Sequence, residues 1–552
     1  MKGRAAGENS ISAAAVTTQD RRALRRWAVL LFVFGVGHRL LQLWLLWPVL
    51  SGQILAWAGN QAPTMLPAII MREHPWWGLW YLQQTPPIPY GIWAVVLNLF
   101  DSPYGIAVSS IVLQAVLSSL TAVAMALLLR RSGFGNCLSF AIAVVFLLHG
   151  DLIAIEYHTM GQMFHNLLTM LLVVLACHQA LNLLRRMDRR AAFMLGLCAG
   201  LLALTRATFS FFWPVVLAWL ILAGAWRRPA VVLAFLLPVL VLHGGWMAKN
   251  RVALGHWSSS TSSWGGANLY HGEVLRNGPE QFRQWITERK GLCPSPWYEL
   301  TVDMPPKSAV FYFIPLEWPE SVPADMVEKD RLIAKRRGHA AEWDSLVASA
   351  WSRCLMREFA AYWLHHPGLV IRQWWQSYKV FWHPIGQYAV IHPSGLKPDT
   401  GDYYSPALNW GRSLREALGD RMDRYLMLRR EVTLAPLSPG DFVPVTVIAL
   451  PVLPKLISAL NLAVLHSLPL LLLWQIATTR RIAQPDGFWF MLLVYAYAGG
   501  LSSLGEYSEN MRYRLEVEPI IWVLSALILR GWIACVRRLA ARFRPGQPRP
   551  AA

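Results

Sequence analysis

Residues 21–50 read RRALRRWAVLLFVFGVGHRLLQLWLLWPVL: an arginine cluster, then a run that is apolar apart from His38, Arg39 and Gln42. A helix needs roughly 20 predominantly apolar residues to cross a bilayer core, so 27–50 is long enough for a first span. Arg21, Arg22, Arg25 and Arg26 lie directly before it, and flanking arginines mark the cytoplasmic end of a span. Residues 1–26 are therefore expected to be a cytoplasmic basic tail, and the apolar run a retained anchor rather than a cleaved leader.

Outward from there the pattern recurs. Further apolar stretches lie near 104–129, 138–157, 161–184, 191–206, 207–225, 229–247, 457–477, 486–504 and 517–536. Arg130 and Arg131 follow the second stretch, Arg185 and Arg186 the fourth, Arg227 and Arg228 the sixth, Arg480 and Arg481 the eighth, and Arg537 and Arg538 the tenth. Alternation puts all these clusters on the side of the N-terminus. The fold class expected is an all-α polytopic membrane protein of about ten transmembrane helices, both termini cytoplasmic. Such a chain fits a bacterial inner membrane.

Composition agrees. The 552 residues are 55% hydrophobic and 15% charged, against about 25% charged in an ordinary soluble domain. The net charge of +19 sits at span ends instead of forming a nucleic-acid footprint. A soluble multidomain enzyme, a disordered chain and a nucleic-acid binder are excluded. The 28 tryptophans suit aromatic belts at the interfaces. No CxxC or Cys/His spacing suggests a zinc site.

The face opposite the arginines carries two long connections, 51–103 and 248–456. The second is long enough to be an extracytoplasmic domain of mixed character, inserted between helices 7 and 8. The helices divide around it as 27–247 and 457–536, and a basic tail closes the chain at 537–552. Within the insertion, WSRCLMREFAAYWLHHPGLVIRQWWQSYKVFW predicts an amphipathic helix, a break at Pro367 and a second helix with an aromatic face at the membrane interface. Cys293 and Cys354 both fall in this region, where a disulfide can form.

Ionisable residues in or beside a membrane are costly and mark functional sites by default. On the outer rim the sequence places Glu73, Asp151, Glu156, His158, Arg206, Glu506, Arg512 and Arg514, with Glu516 and Glu518 close by. Arginines and carboxylates gathered at a lipid interface suit group transfer from a lipid phosphate. Cations hold the phosphate as it leaves, and a carboxylate activates the attacking hydroxyl. Arg39, midway along the first span, reads instead as a buried helix-pairing residue.

Several segments together resemble the GT-C superfamily of membrane glycosyltransferases, which use polyprenyl-phosphate sugars and include protein O-mannosyltransferases and lipid A aminoarabinose transferases. They are QTPPIPYGIW, LALTRATF, WMAKNRVALGHWSSSTSSWGGANLYHG, the His-Pro-Gly helix pair and GEYSENMRYRLEVEP, in family order. The resemblance implies inverting transfer of a sugar from a polyprenyl-phosphate donor to a lipid, glycan or protein acceptor at the periplasmic face. It implies donor-phosphate contacts from Arg206, Arg512 and Arg514, with Glu506 shaping the site. No nucleotide or redox cofactor is expected, although some superfamily members involve a divalent cation. The family's catalytic Asp in the first outer loop is missing, because the only acid in 51–100 is Glu73. Glu73 is the first choice of base, with Glu156 and Asp151 behind it. Rival readings are a polysaccharide polymerase or ligase, a scaffold that has lost its base, and a lipid-glycan transporter.

Overall fold

The computed structural model describes residues 18–59, 68–82, 85–149, 152, 156, 161–259, 266, 269–270, 280–289, 322–337, 346–382, 453–479, 482, 484, 487–505 and 510–542. Among these residues every regular element is helical. The first basic cluster and apolar run form one helix, α1 (Thr18–Gly59), which continues past the expected end at residue 50. Three short helices follow: α2 (Ala68–Glu73), α3 (Pro75–Tyr81) and α4 (Pro87–Leu99). The last two open on proline, whose missing N–H lies where no intrahelical partner exists. Next come α5 (Pro103–Arg131), capped by the Ser102 side chain accepting from the Gly105 N–H at 3.0 Å, α6 (Asn136–Leu147) and α7 (Gly161–Arg186).

Helix α8 (Arg189–Thr205) ends as Arg206 turns extended, and a 3₁₀ turn (Ala207–Phe211) leads into α9 (Phe212–Leu222). Helix α10 (Pro229–Val239) contains Pro238 and passes through a π turn (Leu240–Gly244) into α11 (Gly245–Leu254). A proline without its N–H is one of the few causes of such an interruption. Helix α8 lies against α10 because Gly196 leaves the room: a Cβ there would strike the Phe235 carbonyl and come within 2.9 Å of Pro238. Small residues at a helix crossing permit this approach.

The inserted region supplies α12 (Glu280–Arg289), α13 (Ala324–Arg337), α14 (Leu346–His365) and α15 (Pro367–Phe381), with the predicted break at Pro367. It has its own aromatic core, in which Phe282 stacks on Phe359 with ring centroids 4.0 Å apart. The chain ends in α16 (Leu453–His466), α17 (Leu468–Thr479), α18 (Phe488–Gly505) and α19 (Asn510–Arg542). The aromatic face of α15 is divided. Trp375 is exposed, but Phe381 and Trp382 are buried, and Tyr378 reaches the Tyr495 hydroxyl on α18 at 2.5 Å.

Among the described residues six helices are long and apolar enough to cross a membrane: Arg22–Trp44, Pro103–Arg131, His165–Arg186, Pro229–Leu254, Ile457–Thr478 and Tyr513–Ala541. The stretches expected at 138–157, 191–206, 207–225 and 486–504 fall on shorter helices. The fifth and sixth are shortened because the extended Arg206 and the 3₁₀ turn interrupt what would otherwise be one long helix. Helices α5, α7 and α19 pack on one another at the centre of the bundle. Along α5, Ser110, Ser119 and Thr121 return their hydroxyls to carbonyls one turn back, so these buried polar groups cost little.

Candidate functional site

Among the described residues three arginines lie buried in the bundle, each with a carboxylate. Arg39 of α1 donates from Nε and Nη2 to the two oxygens of Glu156 at 2.5 and 3.1 Å, and both residues are essentially inaccessible. Arg206, at the end of α8, pairs with Glu516 of α19. Arg514 pairs with Glu518 one turn along the same helix at 3.0 Å. Burying an isolated charge is prohibitive, whereas a matched pair with further hydrogen bonds is tolerable. That requirement explains why the arginines and glutamates occur together.

Additional contacts fix each pair. Arg206 lies 2.5 Å from the His165 Nε2 of α7 and 4.7 Å from the ring centre of Tyr513. The Arg514 Nη1 donates to the Trp382 carbonyl at 3.0 Å, joining the bundle to the residue that follows α15. Glu518 accepts from the Trp522 indole N–H at 2.9 Å. Trp522 in turn lies edge-on to His149, with ring centroids 5.9 Å apart. Helices α7, α8 and α19 thus meet at the Arg206–Glu516 pair, and the residue after α15 meets α19 at the Arg514–Glu518 pair.

The expected site residues separate into groups. Arg206 and Arg514 each pair with a glutamate of α19. Glu156 is buried, with its carboxylate engaged by Arg39. Glu73 ends α2 and is exposed, and among the described residues it forms no ion pair. Its neighbour Arg72 turns instead to Asp101 at 3.5 Å and to the Phe100 carbonyl at 3.4 Å. Arg512 lies on α19, with its side chain outside the described residues, as are Asp151, His158 and Glu506. Arg39 is the helix-pairing residue the sequence suggested.

Sequence reasoning placed Glu516 and Glu518 beside the rim site without giving them a role, and it gave none to His165. An available signal was the four-residue spacing in RYRLEVE, which pairs Arg514 with Glu518 on one helical face. The same spacing pairs Arg512 with Glu516 and conceals the actual partner, Arg206, which is remote in sequence.

Two other features bear on the segments behind the resemblance. The Lys249 Nζ donates to the carbonyls of Trp80 and Leu82 at 3.0 and 2.7 Å, tying α11 to the entry of the proline-rich segment. Gly266 donates its N–H to the Ser352 hydroxyl of α14 at 3.1 Å. Cys354 is disulfide-bonded. Cys137, Cys177, Cys198 and Cys535 are free, and Cys293 lies outside the described residues. Among the described residues no group of three or more His, Cys, Asp or Glu could hold a metal ion.

Helical elements of membrane-spanning length, with ion pairs buried between them, define a helical membrane protein. No family model, curated protein or solved structure matches the chain.

Proposed function

We propose that the protein is a membrane glycosyltransferase of GT-C type. It moves a sugar from a polyprenyl-phosphate donor to a hydroxyl or amine of a lipid, glycan or protein acceptor at the extracytoplasmic face. In this reading ten helices span a bacterial inner membrane, both termini are cytoplasmic, and residues 248–456 form the outer domain. The disulfide at Cys354 agrees with an oxidising compartment on that side. The observation that carries the reading is that Arg206 and Arg514 are both buried and both held by glutamates of α19, with Arg514 also bonded to the residue that follows α15. Cations so held are ready for a phosphate whose charge grows as the sugar departs. Arg512 joins them, and Glu506 and His158 shape the site.

The same reading assigns a base. Glu156 already holds the Arg39 guanidinium, so taking a proton from an acceptor would break that pair. Glu73 is accessible and unpaired among the described residues, and it is the carboxylate we assign to acceptor activation, ahead of Glu156 and Asp151. Displacement at the anomeric carbon then forms the new glycosidic bond as the bond to the lipid phosphate breaks, with inversion. One observation favours a scaffold instead: each buried arginine has its own carboxylate, leaving the array without surplus positive charge.

Transfer is measured with purified protein, radiolabelled polyprenyl-phosphate sugars and a membrane-extract acceptor pool. Transfer by the wild type that is lost in a folded Glu73→Gln variant supports the proposal. Transfer that survives Glu73→Gln removes the base assignment, and donor binding without transfer by the wild type favours the scaffold.

A further inference from the structure

A second charged locus lies away from the paired array, where the span Pro229–Leu254 gives way to the inserted region. The chain leaves α11 through Gly255, whose φ of +88° is one that side chains rarely adopt. Two cations clasp this turn. The Lys329 Nζ of α13 donates to the Leu254 carbonyl at 2.8 Å, and Arg251 of α11 donates to the Gly255 carbonyl. His256 comes next, its imidazole close to the Leu254 carbonyl. Arg353 of α14 completes the group, acting electrostatically on His256 together with Lys329 and Arg251, and Arg357 follows one turn along.

Among the described residues, none of Arg251, Lys329, Arg353 and Arg357 forms an ion pair with a carboxylate. The acids flanking Lys329 are committed elsewhere: Glu328 lies 3.7 Å from Arg331, and Asp330 accepts from the Leu346 and Val347 N–H groups at 2.8 and 3.3 Å. Two buried polar atoms, Arg353 Nη1 and His256 Nε2, have no hydrogen-bond partner. Among the described residues each buried arginine of the bundle has a glutamate, whereas this locus gathers cations from three helices and leaves the Arg353 Nη1 donor unused. An anion that accepts several hydrogen bonds at once satisfies that arrangement.

The surroundings narrow the anion's class. Val252 and Trp257, flanking Arg251 and His256 in sequence, are 76% and 63% exposed. The locus also sits at the end of a helix of membrane-spanning length. Cations beside exposed apolar side chains at that height match a phosphate carried on an amphiphile.

We propose that Arg353, His256, Lys329 and Arg251 form a phosphate-binding site at the membrane-facing base of the inserted region. Arg353 Nη1 contacts the phosphate directly, and the bound anion lets His256 take up a proton from solvent and donate from Nε2, while Lys329 and Arg251 hold the turn and supply charge at the rim. The site is separate from the Arg206–Arg514 array and stands whether or not that array transfers sugar.

The test uses the full-length protein in detergent, with binding read by native mass spectrometry and isothermal titration calorimetry. The probes are inorganic phosphate, dihexanoyl phosphatidic acid and, as the uncharged control, dihexanoyl glycerol. Arg353→Gln and the double His256→Gln, Lys329→Gln variant are expected to lose affinity for the phosphate probes by about tenfold or more. Arg353→Lys retains part of that affinity, and Arg331→Gln, outside the locus, leaves it unchanged. Binding of phosphatidic acid alone identifies a lipid phosphate, and equal binding of inorganic phosphate identifies the free anion; both support the site. Failure of both phosphate probes to bind the wild type overturns it, as does equal binding by wild type and folded, monodisperse variants.

Discussion

Glu516 on α19 holds the Arg206 guanidinium at the end of α8, although the nearest arginine in its own helical register is Arg512. This choice fastens α19 to the turn that interrupts α8 and α9. Removing the carboxylate leaves a buried cation uncompensated, a change worth ~3–5 kcal/mol in comparable pairs. Glu516→Ala is therefore expected to lower the melting temperature in detergent sharply, while the double variant Arg206→Met, Glu516→Leu recovers most of the loss. An equal loss in both would show that the pair does not act as a unit.

The Arg39–Glu156 pair is expected to be structural. Glu156→Gln and Arg39→Gln should each destabilise the protein, and the double variant should lose much less than their sum, because neighbours in one ion pair couple by ~0.5–3 kcal/mol. Additive losses in a double-mutant cycle of thermal or denaturant melts would contradict the coupling.

Gly196 is expected to tolerate no side chain. Its missing Cβ is what lets α8 lie on the Phe235 carbonyl, and overpacking of this kind costs ~1–3 kcal/mol. Gly196→Val should lower the melting temperature more than the same change at Gly91, where a Cβ would meet nothing.

His256 makes stability depend on pH. Burial, reinforced by the Arg353 guanidinium, pushes its imidazole down to about 4, against ~6.5 in an unfolded chain. As pH falls the unfolded chain takes up this proton first. The contribution is complete above about pH 6.5 and is lost as pH drops through the folded value near 4. Melting temperatures recorded between pH 7.5 and 4.5 should fall less steeply for His256→Gln than for wild type; parallel curves would refute this.

Cys354 is expected to resist maleimide labelling in intact membranes until a reductant is added, since it is disulfide-bonded. Cys137, free and exposed, should label without reductant once the reagent reaches its side of the membrane. Immediate labelling of Cys354 would contradict the bond.

Much of the architecture follows from local rules. Apolar length alone marked the first span and the long helices at Pro103–Arg131, His165–Arg186 and Pro229–Leu254, because a helix satisfies its own backbone and needs only an apolar exterior in lipid. Pro367 divided α14 from α15 because a proline ring cannot follow a turn of helix without a clash. The burial of Arg39 was legible too, since no snorkelling path is short from the middle of a span.

Tertiary packing decided the partners. Arg39 meets a glutamate 117 residues away, and Arg206 chooses Glu516 over any neighbour in sequence. Ion pairs inside a bundle are selected by which helices touch, since the low dielectric makes every unmatched charge expensive. The unbalanced cations around His256 arise the same way, from three helices converging on one turn. The amino-acid sequence by itself determined a helical membrane protein and the pool of charges near its rim; only the packed structure decided which charges are matched and which stand ready for a ligand.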